Sequence, residues 1–290
     1  MGPMVGETQY QDGYWFSGDG VRLHYRDYAG PKNKPPILCI PGLTRNARDF
    51  AHVAERLAGD WRVICVDLRG RCESGYAASA LSYTPLIYLQ DIEALLLELK
   101  IPRVILFGTS LGGIMTMLLA TTKPGRIAAA LINDIGPDVE PAGLDRIKAF
   151  VGRSQIWATW VHAARGIAEM QGHAHPGYDL VQWVALAKRM CRLTAQGRVT
   201  LDYDMKIAEP LQAPAQPFDM WPAFAALGTV PVTILRGALS DILSVATAAK
   251  MVKTLPQAKL VTIPKTGHPP ELDEPAAVKA IDALLKMVVA

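Results

Sequence analysis

The four cysteines, Cys39, Cys65, Cys72 and Cys191, form no Cys-x-x-Cys pair and no zinc-type spacing. Neither a dithiol redox motif nor a cysteine-built metal site is therefore expected. Dense basic runs are missing too. The 30 Lys and Arg are scattered among 27 Asp and Glu, for a net charge of +3, which argues against a nucleic-acid or membrane-surface partner. No apolar run approaches the ~20 residues that span a bilayer. The N-terminus lacks a basic segment followed by an apolar one, so no secretory leader is expected. Repeats and low-complexity tracts do not occur. Cys39 and Cys65 lie inside apolar runs, where a free thiol behaves as a small hydrophobe, and a reduced, cytoplasmic protein is the expectation.

What is present is half apolar composition over 290 residues, enough for one large domain with a sizeable core. Tyr10 to Ser17 and Val21 to Tyr28 predict a hairpin around Gly18-Asp19-Gly20. Buried strands are predicted at Pro35 to Ile40, Trp61 to Val66, Arg103 to Phe107 and Ile127 to Ile132. Helices are predicted at Ala47 to Ala58, Leu86 to Leu99 and Ser110 to Thr121. Near-continuous apolar strands alternating with helices imply a parallel sheet covered on both faces. From Pro137 to Phe224 no strand signal is evident, and helix formers gather with Trp157, Trp160, Trp183 and Trp221. The alternation resumes with Val230 to Leu235, Val245 to Thr254, Lys259 to Ile263 and Pro275 to Val289. The expected division is a core of residues 1–136 and 226–290, with a helical cap of residues 137–225.

Gly108-Thr109-Ser110-Leu111-Gly112 fits Gly-x-Ser-x-Gly between a predicted strand and a predicted helix. A serine on such a tight turn needs a strained backbone, and flanking glycines remove the side chains that would collide there. The turn aims the hydroxyl away from the sheet and puts the Leu111 N–H at a helix N-terminus, where negative charge is stabilised. A serine hydroxyl is a poor nucleophile and needs a base. His268, in Gly267-His268-Pro269 beyond the late strand at Lys259 to Ile263, is the candidate. The base needs an orienting carboxylate. Asp241, after the strand at Val230 to Leu235, is favoured by position, with Asp134 as its rival. A second oxyanion donor is expected in Pro41-Gly42-Leu43-Thr44, at the Leu43 N–H. Trp157 and Trp160 are candidates for lining a pocket beneath the cap. His173 and His175 read as a solvated loop. No residue pattern calls for a cofactor or a metal.

Together these segments resemble the α/β-hydrolase superfamily, over roughly Tyr14 to Asp134 and Val230 to Val289. The resemblance implies an eight-stranded, mostly parallel sheet flanked by helices, with a cap inserted after the sixth strand. It also implies catalytic residues in the chain order Ser110, Asp241, His268. Two departures stand out. Many members carry His-Gly at the oxyanion loop, where this chain has Pro41-Gly42. Many also carry Arg-Gly-x-Gly-x-Ser, where Arg69-Gly70-Arg71-Cys72-Glu73-Ser74 replaces the second Gly with Cys72. Members with Asp at the nucleophile position include epoxide hydrolases and dehalogenases, and Ser110 argues against both. Hydrolysis of a small hydrophobic ester or lactone through an acyl-enzyme is the first expectation. A carbon–carbon hydrolase of ring-cleavage diketones, a perhydrolase and a weakly catalytic ligand receptor are the alternatives. The expected partner is a small molecule, with the chain a monomer or homodimer.

Overall fold

The computed structural model describes residues 10–213 and 218–289; the N-terminal segment read above for a leader lies outside them. In chain order the core opens with β1 (Tyr10–Phe16) and β2 (Arg22–Tyr28), then β3 (Ile37–Ile40), α1 (Ala51–Leu57), β4 (Val63–Asp67), α2 (Pro85–Glu98), β5 (Val104–Thr109), α3 (Leu111–Thr122) and β6 (Ile127–Asn133). An insertion follows, with α4 (Pro141–Phe150), β7 (Ile156–Trp157), α5 (Trp160–Gln171), α6 (Leu180–Met190), β8 (Cys191–Leu193), β9 (Val199–Leu201), α7 (Ala208–Gln212) and α8 (Trp221–Ala225). The core closes with β10 (Val232–Gly237), α9 (Val245–Thr254), β11 (Lys259–Ile263) and α10 (Pro275–Val289).

Eight strands form one sheet in the order β1-β2-β4-β3-β5-β6-β10-β11. Only the β1–β2 and β2–β4 pairings are antiparallel. The other five are parallel. Alternate side chains of each inner strand enter opposite cores, as the two-residue period of a strand requires. On β5, Val104 and Leu106 join α2, α3, α8 and α9 on one face. Ile105 and Phe107 join α1 and α10 on the other. The central strands β3, β4, β5 and β6 are thus apolar on both faces, which is why their sequences read as continuous runs.

One expectation fails within the insertion. Residues 137–225 are not all helix and loop, because β7, β9 and β8 pair into a small antiparallel sheet. Strands of two and three residues are too short to carry a periodic signal. No helix among the described residues is long and apolar enough to cross a membrane.

Candidate active site

β5 sits between β3 and β6, and the three parallel strands end on the same side. The loop after β3, the turn after β5 and the loop after β6 therefore converge. Ser110 caps α3 with φ 51° and ψ −113°, a backbone that a β-carbon disfavours. The turn is possible because its neighbours are glycines. A β-carbon on Gly108 would lie 2.4 Å from Gly112 O, and one on Gly112 would lie 2.0 Å from Ile40 O. Ser110 N–H donates to Asn133 O at 3.0 Å, fixing the turn to β6.

The Ser110 hydroxyl lies 3.0 Å from His268 Nε2. His268 Nδ1 lies 2.8 Å from Asp134 Oδ2, completing a hydrogen-bonded chain. The expected acid, Asp241, is not part of it. Its carboxylate is gripped bidentately by Arg146 Nε and Nη2, at 2.6 and 2.8 Å. Asp134 directly follows β6 in the left-handed region, at φ 56°, which Asp tolerates better than most residues. Its side chain is fully buried, where a carboxylate must be hydrogen-bonded. Gly237 N–H donates to Oδ1 at 2.8 Å and the Ser240 hydroxyl to Oδ2 at 2.6 Å. The end of β10 and the loop after it thus supply donors to the carboxylate that meets His268, and not that carboxylate itself.

The histidine loop is fastened from two sides. Asn133 Nδ2 donates to Pro270 O at 2.8 Å, and Gly267 N–H donates to Ala174 O of the insertion at 2.7 Å. A β-carbon on Gly237 would meet Gly267 O at 2.3 Å, so only glycine permits this approach.

The two expected oxyanion donors border the nucleophile. Leu111 is the first residue of α3, so its N–H has no acceptor within the helix. Gly42 O accepts from Arg45 N–H at 3.1 Å. Because N–H and C=O point oppositely across a trans peptide, the Leu43 N–H faces the other way. The β-carbon position of Gly42 is 3.6 Å from Ser110 Cβ. In place of a loop-shaping histidine, the buried Arg71 donates from Nε and Nη2 to Leu43 O, at 2.9 and 2.7 Å. Cys72 explains the second departure. Its φ is 48°, the region glycine favours. Burial raises its thiol pKa well above the ordinary value, so the group stays protonated.

Two hollows meet at Ser110. The larger, about 300 Å³, is almost wholly apolar, with Leu43, Leu111, Ile135, Leu144, Ile147 and Leu211 among its lining residues. The smaller, about 60 Å³, is lined by His268, Thr44, Arg45, Arg146 and Gln171 among others. Neither Trp157 nor Trp160 lines either hollow. Trp157 packs on Gly166 of α5 within the insertion. Sequence reasoning missed the actual apolar wall because Leu and Ile at helical spacing read equally as core. The solvated reading of His173 and His175 holds only for the first. His175 is buried, stacked on Tyr178 at 4.3 Å and 3.7 Å from Glu271.

Burial alone would raise the pKa of Asp241, but the hydrogen bonds and charge of Arg146 outweigh it and the net shift is downward. His173 is also shifted down, by burial first and by the Arg146 charge second.

A family model described as the alpha/beta hydrolase family matches residues 37–281. A 3-hydroxybutyrate-oligomer hydrolase from Cupriavidus necator is 33% identical over 269 residues, covering 89% of this chain and 90% of the relative. A 2-(acetamidomethylene)succinate hydrolase from Mesorhizobium japonicum is 27% identical over 265 residues, 86% of this chain and 88% of that one. A crystal structure of an alpha/beta hydrolase from Novosphingobium aromaticivorans superposes with a TM-score of 0.94 at 54% identity, over 97% of this chain and 100% of the other.

Proposed function

We propose that this chain, which belongs to the alpha/beta hydrolase family, hydrolyses a carboxylic ester with a small apolar acyl group through Ser110, His268 and Asp134. The observation that carries the reading is the Ser110–His268–Asp134 chain of hydrogen bonds at the mouth of an apolar hollow. In this reading His268 Nε2 takes the Ser110 proton as Oγ attacks the ester carbonyl. Asp134 holds the Nδ1–H tautomer and stabilises the imidazolium that forms. The oxyanion is received by the Leu43 and Leu111 N–H groups. His268 then gives the proton to the departing alcohol oxygen, and water repeats the sequence on the acyl-enzyme.

Residues 137–225 serve as the cap in this scheme, since Val139, Leu144, Ile147, Ile207 and Leu211 complete the apolar hollow over the core. Each methylene buried there favours binding by ~0.8 kcal/mol, which suits an aliphatic acyl chain. The Cupriavidus relative is named for 3-hydroxybutyrate oligomers, which are chains of esters between a carboxyl and a neighbouring hydroxyl. We extend that chemistry to this chain as an ester whose alcohol is itself a hydroxy acid.

The test is turnover of p-nitrophenyl butyrate together with fluorophosphonate labelling, on wild type and on Ser110→Ala. We expect the variant to fold, to escape labelling and to lose ~10³-fold or more in kcat. Full activity in the variant, or no turnover of any ester by the wild type, ends the reading.

A further inference from the structure

The smaller hollow beside Ser110 has a charge pattern that the ester reading leaves unused. Two of its lining residues, Arg45 and Arg146, are cations, and none is an acid. The two are not equivalent. Arg45 is buried, grips Asp49 through Nε and Nη2 at 2.6 and 2.7 Å, and lies 3.9 Å from Glu271. Its charge is compensated twice. Arg146 has Asp241 alone, bound through Nε and Nη2, and its Nη1 donates to no protein group among the described residues. A guanidinium carries five N–H donors in one plane, and a bidentate carboxylate uses two of them. Asp241 therefore fixes the plane of Arg146 and leaves donors on the other edge.

Which end of a substrate meets this arginine follows from the proton path. His268 lines the smaller hollow and not the apolar one. The leaving oxygen must come within hydrogen-bond reach of Nε2 to receive its proton. The alcohol thus occupies the smaller hollow and the acyl group the larger.

We infer that the smaller hollow is a leaving-group subsite for an alcohol that carries a carboxylate, a short hydroxy acid, and that Arg146, steadied by Asp241, binds that carboxylate. The inference rests on the ester reading above. The reaction balances without a further reactant. The bond from acyl carbon to alcohol oxygen breaks, that oxygen takes the His268 proton, and water supplies the hydroxyl that ends on the acyl carbon. The remote carboxylate keeps its charge throughout, so Arg146 acts on binding and its loss is expected in KM more than in kcat. At about 60 Å³ against about 300 Å³ for the apolar hollow, the subsite is the smaller of the two and favours a compact leaving group.

The experiment compares 3-butyryloxybutyrate as the free acid with its methyl ester, in wild type, Arg146→Gln and Arg146→Lys. p-Nitrophenyl butyrate is run alongside. The quantity read is the ratio of kcat/KM for acid over methyl ester within each protein, which cancels any general loss of activity. A charge-assisted hydrogen-bonded contact predicts a wild-type ratio of about 10 or more. The ratio is expected to fall to about 1 in Arg146→Gln, through KM, and to lie between in Arg146→Lys, which keeps the charge but not the fork. A wild-type ratio near 1, or an unchanged ratio in Arg146→Gln, overturns the subsite while p-nitrophenyl butyrate turnover leaves the esterase standing. Failure to hydrolyse any of the three esters overturns both.

Discussion

Strands β6 and β10 are neighbours in the sheet, and each leads to an aspartate, yet the two carboxylates live in different chemical settings. Asp134, at the end of β6, is sealed from water and held by Gly237 N–H, the Ser240 hydroxyl and His268. Asp241, beyond β10, is partly exposed and bound to an arginine that arrives from α4, 95 residues away in sequence. The difference teaches that the role of an acid is set by the donors around it. A carboxylate already neutralised by a guanidinium has little left to offer an imidazole. One that accepts only from neutral N–H and O–H groups keeps its full charge available to the imidazolium.

The contrast can be broken most severely at its buried member. Asp134→Asn keeps the shape but removes the charge and invites the wrong histidine tautomer. We expect kcat for p-nitrophenyl butyrate to fall by ~10³ to 10⁴-fold, as such exchanges do in triads generally. A smaller effect is expected at Ser240→Ala, which deletes one of the two neutral donors to Asp134. Loss of one hydrogen bond to a buried carboxylate predicts about a tenfold drop in kcat, read with the same substrate. Asp241→Asn sharpens the comparison from the other side. Activity toward this neutral ester should fall by about threefold or less, because the catalytic chain is untouched. A drop as deep as that of Asp134→Asn would reinstate Asp241 as the acid.

The smallest effect is on stability. The Asp241 carboxylate is shifted below its ordinary pKa of 3.8. Its stabilising contribution is therefore complete above that value and is lost as pH falls through the lower folded-state value. For a partly exposed ion pair, urea unfolding should find Asp241→Asn less stable than wild type by about 1 kcal/mol at neutral pH. That gap should close as pH falls through the lowered folded-state value.

The sheet, the glycine-flanked turn at Ser110 and the His268 loop that meets it were legible because each is local. Apolar runs, a glycine-flanked serine and a glycine–histidine–proline loop need only their own neighbours to be understood. Which aspartate meets His268 was not legible, because two strands end near an aspartate and the deciding partners lie elsewhere in sequence. Gly237 and Ser240 fold over residue 134, and Arg146 claims residue 241. One local signal did favour Asp134. It ends its strand without a spacer, whereas Asp241 stands behind Ala238-Leu239-Ser240. The tryptophans misled for a related reason, since aromatic bulk says that a residue is packed but not which cavity it faces. Trp157 spends its surface inside the insertion, and the wall of the apolar hollow is built largely from ordinary aliphatic residues.

Arg71 links two tasks that are usually considered apart. Its Nη1 donates to the Tyr88 hydroxyl at 3.0 Å, while Nε and Nη2 hold Leu43 O. Tyr88 belongs to the wall that would feel the acyl chain, and Leu43 to the loop that would receive the developing charge. In the ester reading, one buried cation thus ties the gauge of chain length to the seat of the reaction. Re-cutting the cavity at position 88 to admit longer chains would also unsettle the loop, so breadth of substrate and speed of turnover cannot be tuned there independently.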